Sequence, residues 1–233
     1  MNQTPAMNQT KLTEEDICNR IRTSVLEQRL APGTKLTEQQ LCGIFFVSRG
    51  VVRKALNMLA NDNIITLVKN KGAVIDSPSP GESHQIFEAR TIMENALLRR
   101  TIKRADAEAI SHMRAHLRAE QAALDAGDVP KWIRLSGEFH MVLAATADNE
   151  PMGEFLEQLV FQSSLILALY GDQGTPKSCE GGEHERIVDA IEAGDIETAT
   201  SIMAEHMASL EALLDFDRMD KPNDLAAILA NEG

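Results

Sequence analysis

The stretch LAPGTKLTEQQL at residues 30–41, followed by VSRGVVRKAL at 47–56 and NKGAVI at 70–75, decides the fold. Pro32-Gly33 turns the chain, and Thr37, three residues before Gln40, sets up a capping box that starts a helix at Thr37. That helix can run only to about Ile44, because Phe45-Phe46-Val47-Ser48 must turn the chain and Ser48 is suited to cap the next one. In that next helix Val52, Ala55, Leu56 and Leu59 share a face, which leaves Arg49, Arg53 and Asn57 in a row at i, i+4 and i+8 along the other side. Beyond Asn61-Asp62-Asn63, residues 64–68 and 73–75 read as two short strands around a basic tip, Lys69-Asn70-Lys71-Gly72. This order is a winged helix-turn-helix, and double-stranded DNA is the partner it addresses. Arg offers a forked donor to guanine or phosphate and Asn can pair with an adenine edge, each good base contact being worth roughly 1 to 3 kcal/mol. On charge alone, a solvated helix face and an ordinary hairpin account for Arg49, Arg53 and Lys71 equally well.

Charge distribution favours the DNA reading. Residues 1–77 hold 10 Lys+Arg against 7 Asp+Glu, net +3, whereas residues 78–233 hold 13 against 28, net −15, together the −12 of the chain. One end attracts phosphate and the other is repelled by it. At 233 residues, with 43% hydrophobic and 25% charged residues, the chain suits two globular domains. Cys18, Cys42 and Cys179 are odd in number and in no metal-ligand spacing, which points to a reducing cytoplasm rather than a disulfide framework. No secretory signal opens the chain, and the longest apolar run, residues 159–170, is broken by Gln162, Ser163 and Ser164 and falls short of the roughly 20 residues a bilayer needs, so no membrane partner is expected.

The expected organisation is a tail over residues 1–12, the winged helix over 13–76, a linker over 77–81 marked by Pro78, Pro80 and Gly81, an all-α antiparallel helical bundle over 82–220, and a C-terminal tail over 221–233. Within the bundle, apolar residues recur at three and four, predicting helices at 82–104, 106–126, 129–147, 150–171, 179–193 and 196–217, with a short one near 223–230. Ala-Gly-Asp recurs at 126–128 and 193–195, where Gly can end one helix and Asp cap the next.

Three histidines lie on the apolar faces of three of these helices: His140 with Ser136 and Leu143, His184 with Ile187, Val188 and Ile191, and His206 with Ile202, Met203 and Leu210. Three inward imidazoles are costly to bury without partners, and one divalent cation would satisfy all three. Separate core histidines, each bonded to a neighbour, are the alternative. His112 and His116, though an i, i+4 pair, fall at or beyond the edge of their helix's apolar stripe and read, with His84, as surface histidines.

The 30–75 motifs resemble the N-terminal domain of GntR-family bacterial transcription regulators. The resemblance implies DNA contacts from Ser48, Arg49 and Arg53 in the recognition helix and from Lys71 and Gly72 in the wing, with Thr37, Gln39 and Asn57 beside them. Gln39 stands where the family usually has an Arg, and Gly50-Val51 where it has Thr-Pro or Thr-Thr, so the operator sequence is open. SGEFHMVLA at 136–144 and EHERIVDAIEAGDIETATSIMAEHM at 183–207 resemble the FCD effector domain of the FadR subfamily, of the six-helix VanR-like type. That resemblance implies metal ligands at His140, His184 and His206, with Ser136 at the place of the family's Asp ligand, and so weaker metal retention. It also implies that Arg90 holds an effector carboxylate, although Glu94, one turn later, makes an intrahelical ion pair an equal account. Zinc is the first expectation for the metal, with nickel or manganese as alternatives. The expectation is thus a homodimeric, ligand-relieved repressor of a two-fold operator that binds a divalent metal and a small carboxylate, and not an enzyme. Two readings remain beside it: a metal-dependent hydrolase or lyase with a His₃ centre, disfavoured because no carboxylate stands in an obvious general-base relation to the histidines, and a metal-free architectural DNA binder.

Overall fold

A computed structural model describes residues 12–69, 71–171 and 182–217. The chain enters α1 (Glu14–Leu26) through a reciprocal capping box between Thr13 and Asp16. It then crosses a short strand β1 (Lys35–Leu36) into α2 (Glu38–Phe45), turns, and runs through α3 (Arg49–Asn61) into the hairpin β2 (Ile65–Val68) and β3 (Gly72–Ile75). The sheet order is β1-β3-β2, antiparallel throughout, with Leu36 opposite Ala73 and Thr66 opposite Val74. β1 is absent from the sequence expectation because two residues are too few to show alternation. Thr37 caps α2 as expected, its hydroxyl accepting from the Gln40 N–H at 3.2 Å, but Gln40 folds its side chain back onto that hydroxyl at 2.6 Å. Ser48 precedes α3 but caps it through the backbone alone: its carbonyl accepts from Val52 N–H at 3.2 Å, while its hydroxyl makes no cap hydrogen bond.

The bundle consists of α4 (Pro80–Arg104), α5 (Ala107–Asp125), α6 (Val129–Thr146), α7 (Glu150–Tyr170), α8 (Glu183–Glu192) and α9 (Ile196–Glu211). α4 begins inside the stretch expected to be linker. Pro80 occupies its first turn, where a missing N–H costs nothing, and Ser79 with Glu82 forms a capping box, so only residues 76–79 separate β3 from α4. Gly127 and Gly194 take positive φ of 69° and 71°, and Asp128 and Asp195 cap the helices that follow. α9 stops at Glu211 rather than 217, because the Asp215 N–H bonds to the Tyr170 carbonyl at 2.8 Å and Phe216 packs edge-on against Tyr170. α8 begins at Glu183 rather than 179 as far as the described residues reach, since residues 179–181 with Cys179 lie outside them. Also outside are residues 1–11 of the expected tail, the wing-tip Asn70, and the expected helix near 223–230.

Two apolar clusters organise the molecule. One joins Ile17, Ile21 and Val25 of α1 and Leu56 and Leu59 of α3 to Leu97, Leu156, Val160 and Phe161 of the bundle, so α1 is packed on both sides. Each such fully buried aliphatic side chain is worth about 1.5–3 kcal/mol. Polar contacts rim this junction: Arg22 pairs with Asp62 at 2.5 Å, and Arg134 of α6 reaches Glu27, the C-cap of α1, at 3.2 Å. The second cluster, with Phe87, Met113, Phe139, Ile187, Met203 and Met207, is the bundle interior and surrounds the histidines. No described helix is long and apolar enough to cross a membrane.

Candidate functional site

The winged-helix face carries the residues expected at DNA. Val52, Ala55, Leu56 and Leu59 are buried, and Arg49, Arg53 and Asn57 emerge exposed on the opposite side of α3, as the 3.6-residue period requires. Arg53, with 66% of its side chain exposed, pairs with Glu38 at the start of α2 at 2.7 Å. That hydrogen bond holds the Glu38 carboxyl below its usual range and raises the Arg53 guanidinium. Gln39 and Lys71 are exposed and Thr37 is half-buried. Gly72 has φ 93°, and a Cβ there would meet the Leu36 carbonyl oxygen at 2.2 Å, so glycine lets the wing close against β1.

The second constellation lies in the bundle interior. His140 from α6, His184 from α8 and His206 from α9 are buried and offer ligand atoms all within 4.8 Å of one another. Each ring presents Nδ1 to a glutamate. His184 Nδ1 lies 3.1 Å from both oxygens of Glu120 on α5, His206 Nδ1 is 2.8 Å from Glu183 Oε2, and His140 Nδ1 is 2.8 Å from Glu94 Oε1 on α4. The His140 contact is an ion-pair approach out of line for a hydrogen bond, leaving that buried nitrogen without one. Carboxylates accept, so the Nδ1 atoms of His184 and His206 carry the protons and their Nε2 atoms carry lone pairs. Those two Nε2 atoms face each other at 3.4 Å. Two lone pairs at that distance in a low-dielectric interior repel unless a cation or proton lies between them, and imidazoles oriented by carboxylates are the arrangement a metal ligand requires.

The surrounding charges agree. Burial drives the His140 imidazole down to about 3, although the Glu94 carboxylate pulls it upward. Burial opposes the Glu94 carboxylate, yet His140 and Arg90 outweigh it and hold it at about 2. His206 is likewise lowered by burial, against the pull of Glu183. The His140 and His206 imidazoles are therefore held toward the neutral state that binds metal. The residues thus fit a metal, which the three imidazoles would hold, two of them oriented by Glu120 and Glu183.

Several sequence expectations change here. Glu94, Glu120 and Glu183 are additions to the expected site: each lies within 3.1 Å of a histidine Nδ1, a contact that orients a ring and is not the general-base relation a hydrolase or lyase would need. The signal was present for two of them. Glu120 shares a stripe with Met113, Leu117 and Leu124, and Glu94 one with Phe87, Leu97 and Thr101, positions where a carboxylate is buried only with a partner. Arg90 is buried, donating to Ser163 Oγ at 2.6 Å and Glu94 Oε1 at 3.2 Å, which ties it to the Glu94–His140 pair. Ser136 stands half-buried one turn before His140. His84 and His112 are exposed as expected, but His116 is half-buried against α6, its Nε2 lying 2.8 Å from the Leu135 carbonyl. A cavity of about 300 Å³ between α5, α6 and the start of α8 leads to His184 and Glu120, lined also by Leu117, Trp132, Arg114 and Arg118.

Comparison with known proteins agrees with this two-part construction. Residues 13–75 match the bacterial regulatory proteins of the gntR family, and residues 85–209 match the FCD domain. The chain is 26% identical over 211 residues to the uncharacterized HTH-type transcriptional regulator BphR of Paraburkholderia xenovorans (strain LB400), covering 88% of this chain and 86% of that protein. It is 22% identical over 204 residues to the HTH-type transcriptional repressor RspR of Escherichia coli (strain K12), covering 88% and 90%. The fold is that of E. coli McbR/YncC, with a TM-score of 0.77 at 18% identity over 85% of this chain and 95% of that one. A DNA-reading head with an outward cationic row and a helical body built around buried histidines therefore belongs, in this chain, to a transcriptional regulator of the GntR family with an FCD domain, and not to an enzyme.

Proposed function

We propose that this regulator is a homodimeric repressor, acting in the cytoplasm where the chromosome lies, whose FCD half holds a divalent metal on His140, His184 and His206 and releases a two-fold operator when a small carboxylate binds. The observation that carries the metal is the convergence of three buried imidazoles, with the Nε2 atoms of His184 and His206 confronting each other at 3.4 Å and both Nδ1 atoms held by glutamate. Zinc suits a histidine-rich, compact site, and nickel or manganese would be accepted by the same donors. The metal supplies a Lewis-acidic position at which an anion completes the shell. The acid reaches it through the cavity beside His184, meeting Arg118 at the lining, while Arg90 contributes its charge through Glu94. On the DNA side Ser48, Arg49, Arg53 and Asn57 read the major groove and Lys71 the minor groove, with Thr37 and Gln39 at the flanking backbone and Gly72 positioning the wing. Repression is the role named for the relative RspR, and the dimer follows from the few base pairs one recognition helix can read.

The test uses Trp132, buried in the cavity wall and the single tryptophan of the chain. Protein stripped with chelator should gain thermal stability and change fluorescence on adding zinc, nickel or manganese, and respond further to one of a panel of organic acids. His184→Ala should abolish the metal response. Gel retardation of a selected operator should be relieved by the same acid. One observation favours a second reading: each histidine already has a carboxylate, so His184 and His206 could share a single proton across their 3.4 Å gap with no metal. Stability that is indifferent to chelator and metal alike selects that reading.

A further inference from the structure

Phe46 lies in the turn between α2 and α3 with 91% of its surface exposed, more than any other large apolar side chain among the described residues. Its neighbours Phe45 and Val47 are buried, so the turn itself is anchored and only this ring projects. Its backbone is left-handed, with φ 54° and ψ 40°. An L side chain is disfavoured there because Cβ crowds the carbonyl oxygen, and exposed aromatic surface is disfavoured in water. Glycine would make the same turn without either penalty. A ring that lowers stability in both ways calls for a partner outside the chain.

Its position says which. Arg49 comes three residues after Phe46, at most about 11 Å along the chain, so the ring stands at the leading end of the recognition helix. Next to Arg49, Gly50 and Val51 present no polar side chain, while the Ser48 hydroxyl is not used in capping. The tip of α3 therefore sets the Phe46 ring next in the chain to the Ser48 hydroxyl, the Arg49 guanidinium and an exposed glycine, at the edge of the DNA-reading face. In the major groove the apolar feature that distinguishes bases is the thymine methyl group, which apolar side chains including Phe recognise by contact.

We propose that Phe46 is a DNA contact, its ring packing against a thymine methyl beside the base or phosphate held by Arg49, and so adds sequence preference without charge. This rests on the DNA-binding reading of the winged helix. The test takes the full-length protein and a duplex it selects from a random library. Phe46→Gly should melt no lower than wild type yet bind that duplex roughly ten- to a hundredfold more weakly. The dependence of affinity on salt should stay unchanged in Phe46→Gly and become shallower in Arg49→Ala, because only the arginine displaces counterions. Replacing the duplex's thymines by deoxyuridine should weaken wild type and leave Phe46→Gly nearly unaffected. Unchanged affinity in Phe46→Gly overturns the contact, and an equal loss on thymine and uracil duplexes overturns the thymine assignment. Failure of wild type to select any duplex overturns the DNA-binding reading and this proposal with it, whereas a defect confined to Phe46→Gly variants leaves that reading intact.

Discussion

Glu120 presents both carboxylate oxygens to one ring nitrogen of His184 at 3.1 Å, and that single contact orients the opposite nitrogen toward His206. If the histidines hold a metal, Glu120→Gln or Glu183→Gln should weaken its binding about 10–100-fold, measured by competition with a chromophoric chelator, with the fold retained. Unchanged affinity would mean the glutamates are bystanders. The same cluster makes metal-stripped protein acid-sensitive. The His140 imidazole drops from its ordinary 6.5 to about 3 and the Glu94 carboxyl from 4.5 to about 2. Below pH 6.5 the unfolded imidazole takes up a proton that the folded one refuses, so stability is complete above that pH and falls toward pH 3, with Glu94 adding a loss of the same sign below 4.5. The slope is at most about 1.4 kcal/mol per pH unit for each proton. Urea midpoints between pH 6.5 and 4.5 should therefore fall more steeply in wild type than in His140→Asn; equal slopes would contradict a neutral buried His140. The inward histidines were legible from helical period alone, because one face of each helix is apolar. Their glutamates were not, since residues 64 apart, such as Glu120 and His184, meet only after two helices have chosen their rotation.

Among the elements, α6 joins the two halves most directly. His140 projects from it into the histidine cluster, while Arg134, less than two turns earlier, pairs with Glu27 at the end of α1 at 3.2 Å and with Glu138 at 2.8 Å. α1 in turn packs on α3, where the buried Cys18 thiol approaches the Ala55 carbonyl at 3.4 Å. If metal or acid binding rotates α6 as the proposed function requires, the movement has a short mechanical route to α3. Arg134→Ala should leave metal affinity and metal-free operator affinity near wild type while bringing the ratio of operator affinities with and without ligand closer to one, read by fluorescence anisotropy of labelled operator. A ratio equal to wild type would place the coupling elsewhere. α3 was legible almost residue by residue, since its buried stripe and its outward Arg49, Arg53 and Asn57 follow from one period. β1 and the early start of α4 at Pro80 were not, because the first depends on a backbone approach that Gly72 permits and the second on whether a proline begins a helix or interrupts a linker.

For the molecule as a whole, the asymmetry of a +3 head on a −15 body is visible in composition. It predicts that nonspecific DNA binding weakens steeply as salt rises from 50 to 200 mM, since the body repels phosphate and only the head displaces counterions. Composition does not disclose that α1 is buried from both sides, so that head and body share one apolar cluster through Ile17, Ile21, Leu156 and Phe161. The most direct test of the central claim is X-ray absorption at the zinc edge on zinc-loaded, gel-filtered protein. Three imidazole nitrogens should appear at about 2.0–2.1 Å, reduced in His184→Ala. Protein that retains no metal through gel filtration, or a shell made of oxygen alone, would contradict the account.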